Sequence, residues 1–87
     1  MSDQPVRFVI DKSGGLLTVH YLPGQVLLSA GWLRFRNPRK VDAVLVSAEP
    51  VESRAVRIVF ADGYERVLTW DDLEAEHREL AWWYGAW

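Results

Sequence analysis

The chain has 87 residues, ten Lys and Arg against twelve Asp and Glu, a formal charge of −2, one methionine and no cysteine. A chain of this size builds one hydrophobic core, so residues 1–87 read as a single domain. Without cysteine there is no disulfide framework, no thiolate zinc or iron–sulfur site and no cysteine nucleophile.

A domain this short hides only about 60–65% of the surface its unfolded chain exposes, so it needs dense core-forming side chains. Five tryptophans, three tyrosines and three phenylalanines supply them, each able to bury about 150–250 Å². Three of the tryptophans fall in the last six residues, more than one small core readily covers. No apolar run approaches the roughly 20 residues of a membrane helix. Met1-Ser2-Asp3-Gln4-Pro5 lacks the basic and apolar regions of a signal peptide, and the expected location is cytoplasmic.

Taken in chain order, Arg7-Phe8-Val9-Ile10 reads as a short strand and Ser13-Gly14-Gly15 as a turn. An internal echo follows. Leu17-Thr18-Val19-His20-Tyr21-Leu22-Pro23-Gly24 precedes Val26-Leu27-Leu28-Ser29 and then Trp32-Leu33. Later, Val56-Arg57-Ile58-Val59-Phe60-Ala61-Asp62-Gly63 precedes Arg66-Val67-Leu68-Thr69 and then Leu73. Each unit is an alternating strand, a tight Pro-Gly or Asp-Gly turn, a second strand and a hydroxyl residue before a helical start. The units span about 16–34 and 55–73. Leu17, Val19 and Tyr21 share one strand face, as do Val56, Ile58 and Phe60. Whether the hairpins join one sheet or form two is open at this point.

Between the units, Arg36-Asn37-Pro38-Arg39 is a loop, because proline disfavours helix in the residue before it. Val41 to Ala48 reads as a strand closed by Glu49-Pro50. The last segment is the one long helix. Thr69 or Asp71 caps it, and Asp71, Asp72 and Glu74 suit the positive end of its dipole. Leu73, His77, Leu80 and Tyr84 recur at helical spacing, with Trp83 alongside, and Gly85 stops it. The fold expected is α+β: a small, mostly antiparallel sheet built from two similar β-hairpin units, with one main C-terminal helix.

Catalytic constellations are scarce. His20 sits within a strand. Glu74-x-x-His77 has the spacing of a di-iron helix motif, a remote metal candidate that lacks further ligand-bearing helices. Ser29, Ser47 and Ser53 lie in no Gly-x-Ser-x-Gly elbow, and Ser13-Gly14-Gly15 lacks the lysine of a phosphate loop. The charge pattern is more informative. Arg34, Arg36, Arg39 and Lys40 interleave with Trp32 and Phe35, a combination suited to an acidic protein surface, a phosphate or a nucleic-acid strand. The negative net charge disfavours nucleic acid. Asp71, Asp72, Glu74, Glu76 and Glu79 form the opposite pole, a polarity suited to steered protein contact or head-to-tail self-association. Trp82-Trp83-Tyr84 and Trp87 are a second candidate surface, since a helix directs only one of two adjacent tryptophans at its own core.

The sequence resembles the gamma-butyrobetaine hydroxylase-like N-terminal domain family, including small stand-alone bacterial members of unknown function. The resemblance rests on Leu17-x-Val19-x-Tyr21-x-x-Gly24 leading to Trp32-Leu33-Arg34, then Glu49-Pro50-Val51. It continues in Ala55-Val56-x-Ile58-x-Phe60-x-Asp62-Gly63 and Trp70-Asp71-x-Leu73. It implies a compact α+β domain with an accessory role beside 2-oxoglutarate-dependent oxygenases or iron–sulfur-carrier ATPases, holding neither the iron nor the nucleotide. The cysteine-rich zinc site of the oxygenase-linked members has no counterpart here. Tyr64 replaces the histidine that stand-alone members carry after Asp-Gly, and Asn37-Pro38-Arg39 replaces a longer Ser-Pro-rich stretch.

The expected function is therefore a non-enzymatic binding module, without cofactor, that engages a protein partner through Trp32, Arg34, Arg36 and Arg39. Trp83 and Trp87 supply a second contact or a homodimer surface. The alternative is a small-molecule or metal-handling accessory to an oxygenase or iron–sulfur enzyme. Weak nucleic-acid binding is the third reading.

Overall fold

In the computed structural model, which describes residues 4–22 and 24–85, the pseudo-repeat becomes two βββα units. The first comprises β1 (Arg7–Ile10), β2 (Leu16–Tyr21), β3 (Gly24–Ser29) and α1 (Ala30–Phe35). The second comprises β4 (Leu45–Val51), β5 (Ala55–Phe60), β6 (Glu65–Thr69) and α2 (Trp70–Gly85). Each unit contributes its own three-stranded antiparallel sheet, in the order β1-β2-β3 and β4-β5-β6. There are thus two sheets rather than one. β1 lies against β4, and α2 packs on β3 and β6 at the other flank.

The alternation read from the sequence sets the register. Leu17 pairs with Leu28 and Val19 with Val26 across β2–β3, while Val56 pairs with Leu68 across β5–β6. Leu17, Val19, Leu28, Val56, Ile58, Phe60 and Leu68 are buried from the two sheets, and α2 adds Leu73 and Leu80. These side chains form one core cluster, with Trp32 and Leu33 of α1 inside it. Tyr21 is only partly covered, at the rim of that cluster.

Local chemistry explains the breaks between elements. Ser29 Oγ accepts from Trp32 N at 3.1 Å and caps α1. Thr69 Oγ1 accepts from Asp72 N while Asp72 Oδ2 accepts from Thr69 N, a reciprocal capping box that starts α2. The Asp62-Gly63 turn places Gly63 at φ 90, where glycine has no Cβ penalty. The β4–β5 turn, closed by the Arg54 N–H donating to Val51 O at 3.1 Å, places Glu52 at φ 52 and Ser53 at φ 59, the left-handed pair of a type I′ turn. Pro23 of the first hairpin turn lies outside the described residues.

Two expectations need correction. Val41 to Val44 are not strand; pairing begins at Leu45, with an irregularity between Leu45 and Ser47. At this junction Val44 O accepts from Ala61 N at 2.8 Å, and Leu45 N donates to Gly14 O of the first unit at 2.7 Å. The buried stripe of α2 is Leu73, Glu76 and Leu80, with Trp83 packed against the core, whereas His77 and Tyr84 are exposed. Among the described residues, no helix is long and apolar enough to cross a membrane.

Candidate functional site

The short helix α1 ends where its backbone turns left-handed. Arg36 has φ 58 and ψ 29, and its N–H donates to Trp32 O at 2.9 Å. Asn37 N donates to Gly31 O at 3.4 Å, completing a Schellman-type stop in which arginine stands where glycine is usual. The chain then folds back over Gly31. A Cβ at Gly31 would collide with the carbonyl oxygens of Lys40 and Asn37. Pro38 and the Lys40 N–H, which donates to Asn37 O at 3.1 Å, complete a tight loop of residues 36–44 before β4.

This loop meets α2 through a buried carboxylate. Glu76 is 5% exposed, and its Oε2 accepts the Trp32 indole N–H at 2.8 Å. Arg66 Nη2 lies 3.2 Å from Glu76 Oε1, and Arg66 Nη1 donates to Leu33 O at 2.8 Å. Arg36 Nη1 lies 3.3 Å from Glu76 Oε2 and also pairs with Glu79. Every atom of that carboxylate therefore has a partner, as burial of charge demands. The bond to Glu79, with Glu76 behind it, raises the Arg36 guanidinium above its usual value.

These contacts correct the first candidate surface. Trp32 is 5% exposed and belongs to the core; its indole N–H finds its acceptor on a helix 44 residues away. Arg34, partly exposed, is tied to another part of the chain. Its Nε and Nη2 donate to Asp62 Oδ2 at 3.3 and 3.1 Å, and its guanidinium lies 4.0 Å from the Tyr64 ring centroid. The Tyr64 N–H, and after it Arg34, lower the Asp62 carboxyl below the usual range. Of the basic and acidic poles, Arg36 meets Glu76 and Glu79 within the one chain.

The rest of the loop remains a surface. Arg39 lies over the Trp83 ring at 5.4 Å, Lys40 over Phe35 at 5.6 Å and Arg36 over Trp32 at 5.1 Å. Phe35, Val41 and Val44 of this stretch and Trp82 and Tyr84 of the α2 end are exposed large hydrophobics. Trp82 is 74% exposed. Between loop and second sheet lies a cleft of about 300 Å³ whose lining includes Arg34, Phe35, Asp42, Val44 and Asp62. Trp87 lies outside the described residues.

The metal candidate receives no support from geometry. Glu74 forms an i,i+4 ion pair with Arg78 at 3.8 Å, and no group of three His, Asp or Glu that could hold a metal forms among the described residues. His20 lies at a half-buried strand position, paired across the sheet with Arg7 and Gln25. Sequence reasoning placed Glu76 in the acidic pole and missed its burial against Arg66; the signal was a glutamate on the Leu73–Leu80 stripe.

The fold thus defines a class, a small α+β domain of two βββα units. It is similar to a crystal structure of a protein of unknown function from Acidithiobacillus ferrooxidans that belongs to the DUF971 family. The two share 24% identity and a TM-score of 0.71 over 85% of this chain and 92% of the other. At that identity the likeness is one of fold. No family model and no curated protein matches the sequence.

Proposed function

We propose that this chain is a non-enzymatic accessory module that binds a protein partner across the α1–β4 loop and the aromatic end of α2. The observation that carries the reading is the joining of the two candidate surfaces. Arg39 over Trp83 brings the loop and the helix end together, beside exposed Trp82 and Tyr84. Tryptophan, tyrosine and arginine are the residues on which binding energy concentrates. The structural likeness to a DUF971 protein, the family also described as the gamma-butyrobetaine hydroxylase-like N-terminal domain, supports membership in that family. Members attached to enzymes imply an accessory role.

The test is affinity capture with three folded baits: wild type, Arg39→Ala/Trp82→Ala, and Arg57→Ala on the charged outer face of the second sheet. A stoichiometric protein held by wild type and Arg57→Ala, and lost from the double variant, supports the reading. Equal capture by all three contradicts it.

A small-molecule role is favoured by one other feature. A cleft of about 420 Å³ between β1 and β4 has Pro5, Phe8, Pro50 and Trp70 in its lining, with Phe8 stacked on Trp70 at 5.9 Å. A ligand there at 100 times its Kd would stabilise the fold by about 2.7 kcal/mol, which a thermal-shift screen detects.

A further inference from the structure

The cleft between β1 and β4 lies where strands of two different sheets come together without pairing. Its volume of about 420 Å³ falls within the roughly 300–1,000 Å³ of small-molecule sites. Each side brings a proline to the lining, Pro5 just before β1 and Pro50 within β4. Proline has no backbone N–H, so an extended peptide laid along the cleft would lack ladder donors at both. A small molecule needs none.

The aromatic wall is set by bonds within the protein. Trp70, the first residue of α2, stacks on Phe8 with ring centroids 5.9 Å apart and 30° between the planes. Its indole N–H donates to Ser53 O at 3.0 Å, and its backbone N–H donates to Arg54 O at 3.3 Å. With the indole N–H engaged, Trp70 and Phe8 offer the cleft ring surface. Both are half-buried, and Pro5 is buried beside them.

The charge in the lining has one sign. Arg7 is its charged member among the described residues. Its cross-strand neighbour is His20 rather than a carboxylate, and no acidic side chain among the described residues pairs with it. Arg34, Arg36, Arg57, Arg66 and Arg78, by contrast, each hold an ion pair. A guanidinium presents a planar fork of donors that fits a carboxylate through two parallel bonds. Gln4 and Ser53 add polar groups to the same lining.

We infer that this cleft takes a small carboxylic acid with a flat apolar body, its carboxylate on the Arg7 guanidinium and its body against Phe8 and Trp70. This rests on the small-molecule reading of the cleft and names its ligand class. It is independent of the protein-binding surface, because Trp70 opens α2 and Trp83 stands near its other end, about 20 Å further along the axis at about 1.5 Å per residue.

The test titrates the protein with cinnamate, cinnamamide and cinnamylammonium, one body carrying negative, no and positive charge, and with acetate, the charge without the body. Amide and indole N–H shifts in NMR spectra give the affinity and the place together. Cinnamate is expected to move the Arg7 amide and the Trp70 indole while leaving the Lys40 amide unmoved. Cinnamamide should bind about tenfold more weakly, the worth of a hydrogen bond to a charged group, and acetate and cinnamylammonium should not bind. Arg7→Gln, at an exposed position, should lose about tenfold for cinnamate and nothing for cinnamamide. Lys12→Gln makes the same change in net charge outside the lining and should match wild type. The inference is overturned if cinnamate does not bind, if Arg7→Gln loses no more than Lys12→Gln, or if acetate binds as well as cinnamate. If cinnamamide or cinnamylammonium binds there as tightly as cinnamate, the cleft stands as a small-molecule site and the acidic class is lost. If no probe moves the Trp70 indole, the small-molecule reading falls with it.

Discussion

Replacing Glu76 by alanine tests how the candidate surface is held. The carboxylate is 5% exposed and is shared by the Trp32 indole, Arg66 and Arg36. Its removal leaves a buried indole N–H without an acceptor, at about 1–3 kcal/mol. Breaking a buried ion pair costs about 3–5 kcal/mol, but the Arg66 side chain is 25% exposed and Arg36 retains Glu79, so the lower end applies. The indole and Arg66 losses overlap, and Glu76→Ala should cost about 3–4 kcal/mol in all, a large share of the roughly 5–10 kcal/mol expected of a domain this size. Glu76→Gln keeps an acceptor for Trp32 and should cost about half as much. Trp32→Phe removes the donor together with part of the buried ring, so it also carries a cavity cost. Urea unfolding at neutral pH, followed by circular dichroism, reads all three. The Glu76→Gln/Trp32→Phe double variant should lose less than the sum, with a coupling of about 1 kcal/mol. A cost below about 1 kcal/mol for Glu76→Ala, the range of exposed pairs, would refute the buried network.

Other outcomes follow from the backbone and from ionisation. Gly31→Ala places a methyl group against the Lys40 and Asn37 carbonyls; it should unseat the loop, seen as lost hydrogen-exchange protection at the Lys40 amide while the β5 amides stay protected. Glu52→Asn/Ser53→Gly puts residues suited to φ > 0 into the β4–β5 turn and should stabilise by about 1 kcal/mol in thermal or urea unfolding. Asp62 has a folded pKa below its unfolded value near 3.9 because of the Tyr64 N–H and then Arg34. Its contribution is therefore present above about pH 4 and is lost as pH falls through the lower folded value. Asp62→Asn should flatten that acid limb in a pH series of unfolding midpoints.

The strands were legible because burial alternates with period two: Leu17 and Val19, like Val56 and Ile58, are apolar where the fold needs them. Ser29 and Thr69 announced their helices because a cap is a local device. The phase of α2 was not legible. A 3.6-residue repeat admits steps of three or four, and hydropathy alone favours His77 and Tyr84 over Glu76. Only Trp32 and Arg66, distant in sequence, make Glu76 an acceptable core residue. The same long-range bond moved Trp32 from candidate surface to core. Val41 to Val44 carry valines that suit a strand, yet nothing local says that Leu45 is where pairing with Phe60 begins. The Arg39–Trp83 contact was also invisible, although both residues had been singled out, because it depends on how the loop folds back over Gly31.

The most direct test of the binding surface is photo-cross-linking in the source cell, with a benzophenone amino acid placed at Trp82 or, for comparison, at Val67. Both positions are exposed, the second on the outer face of the second sheet. The account predicts one discrete cross-linked protein from position 82, lost when Arg39→Ala is added, and none from position 67. The same products from both positions, or none from position 82, would contradict it.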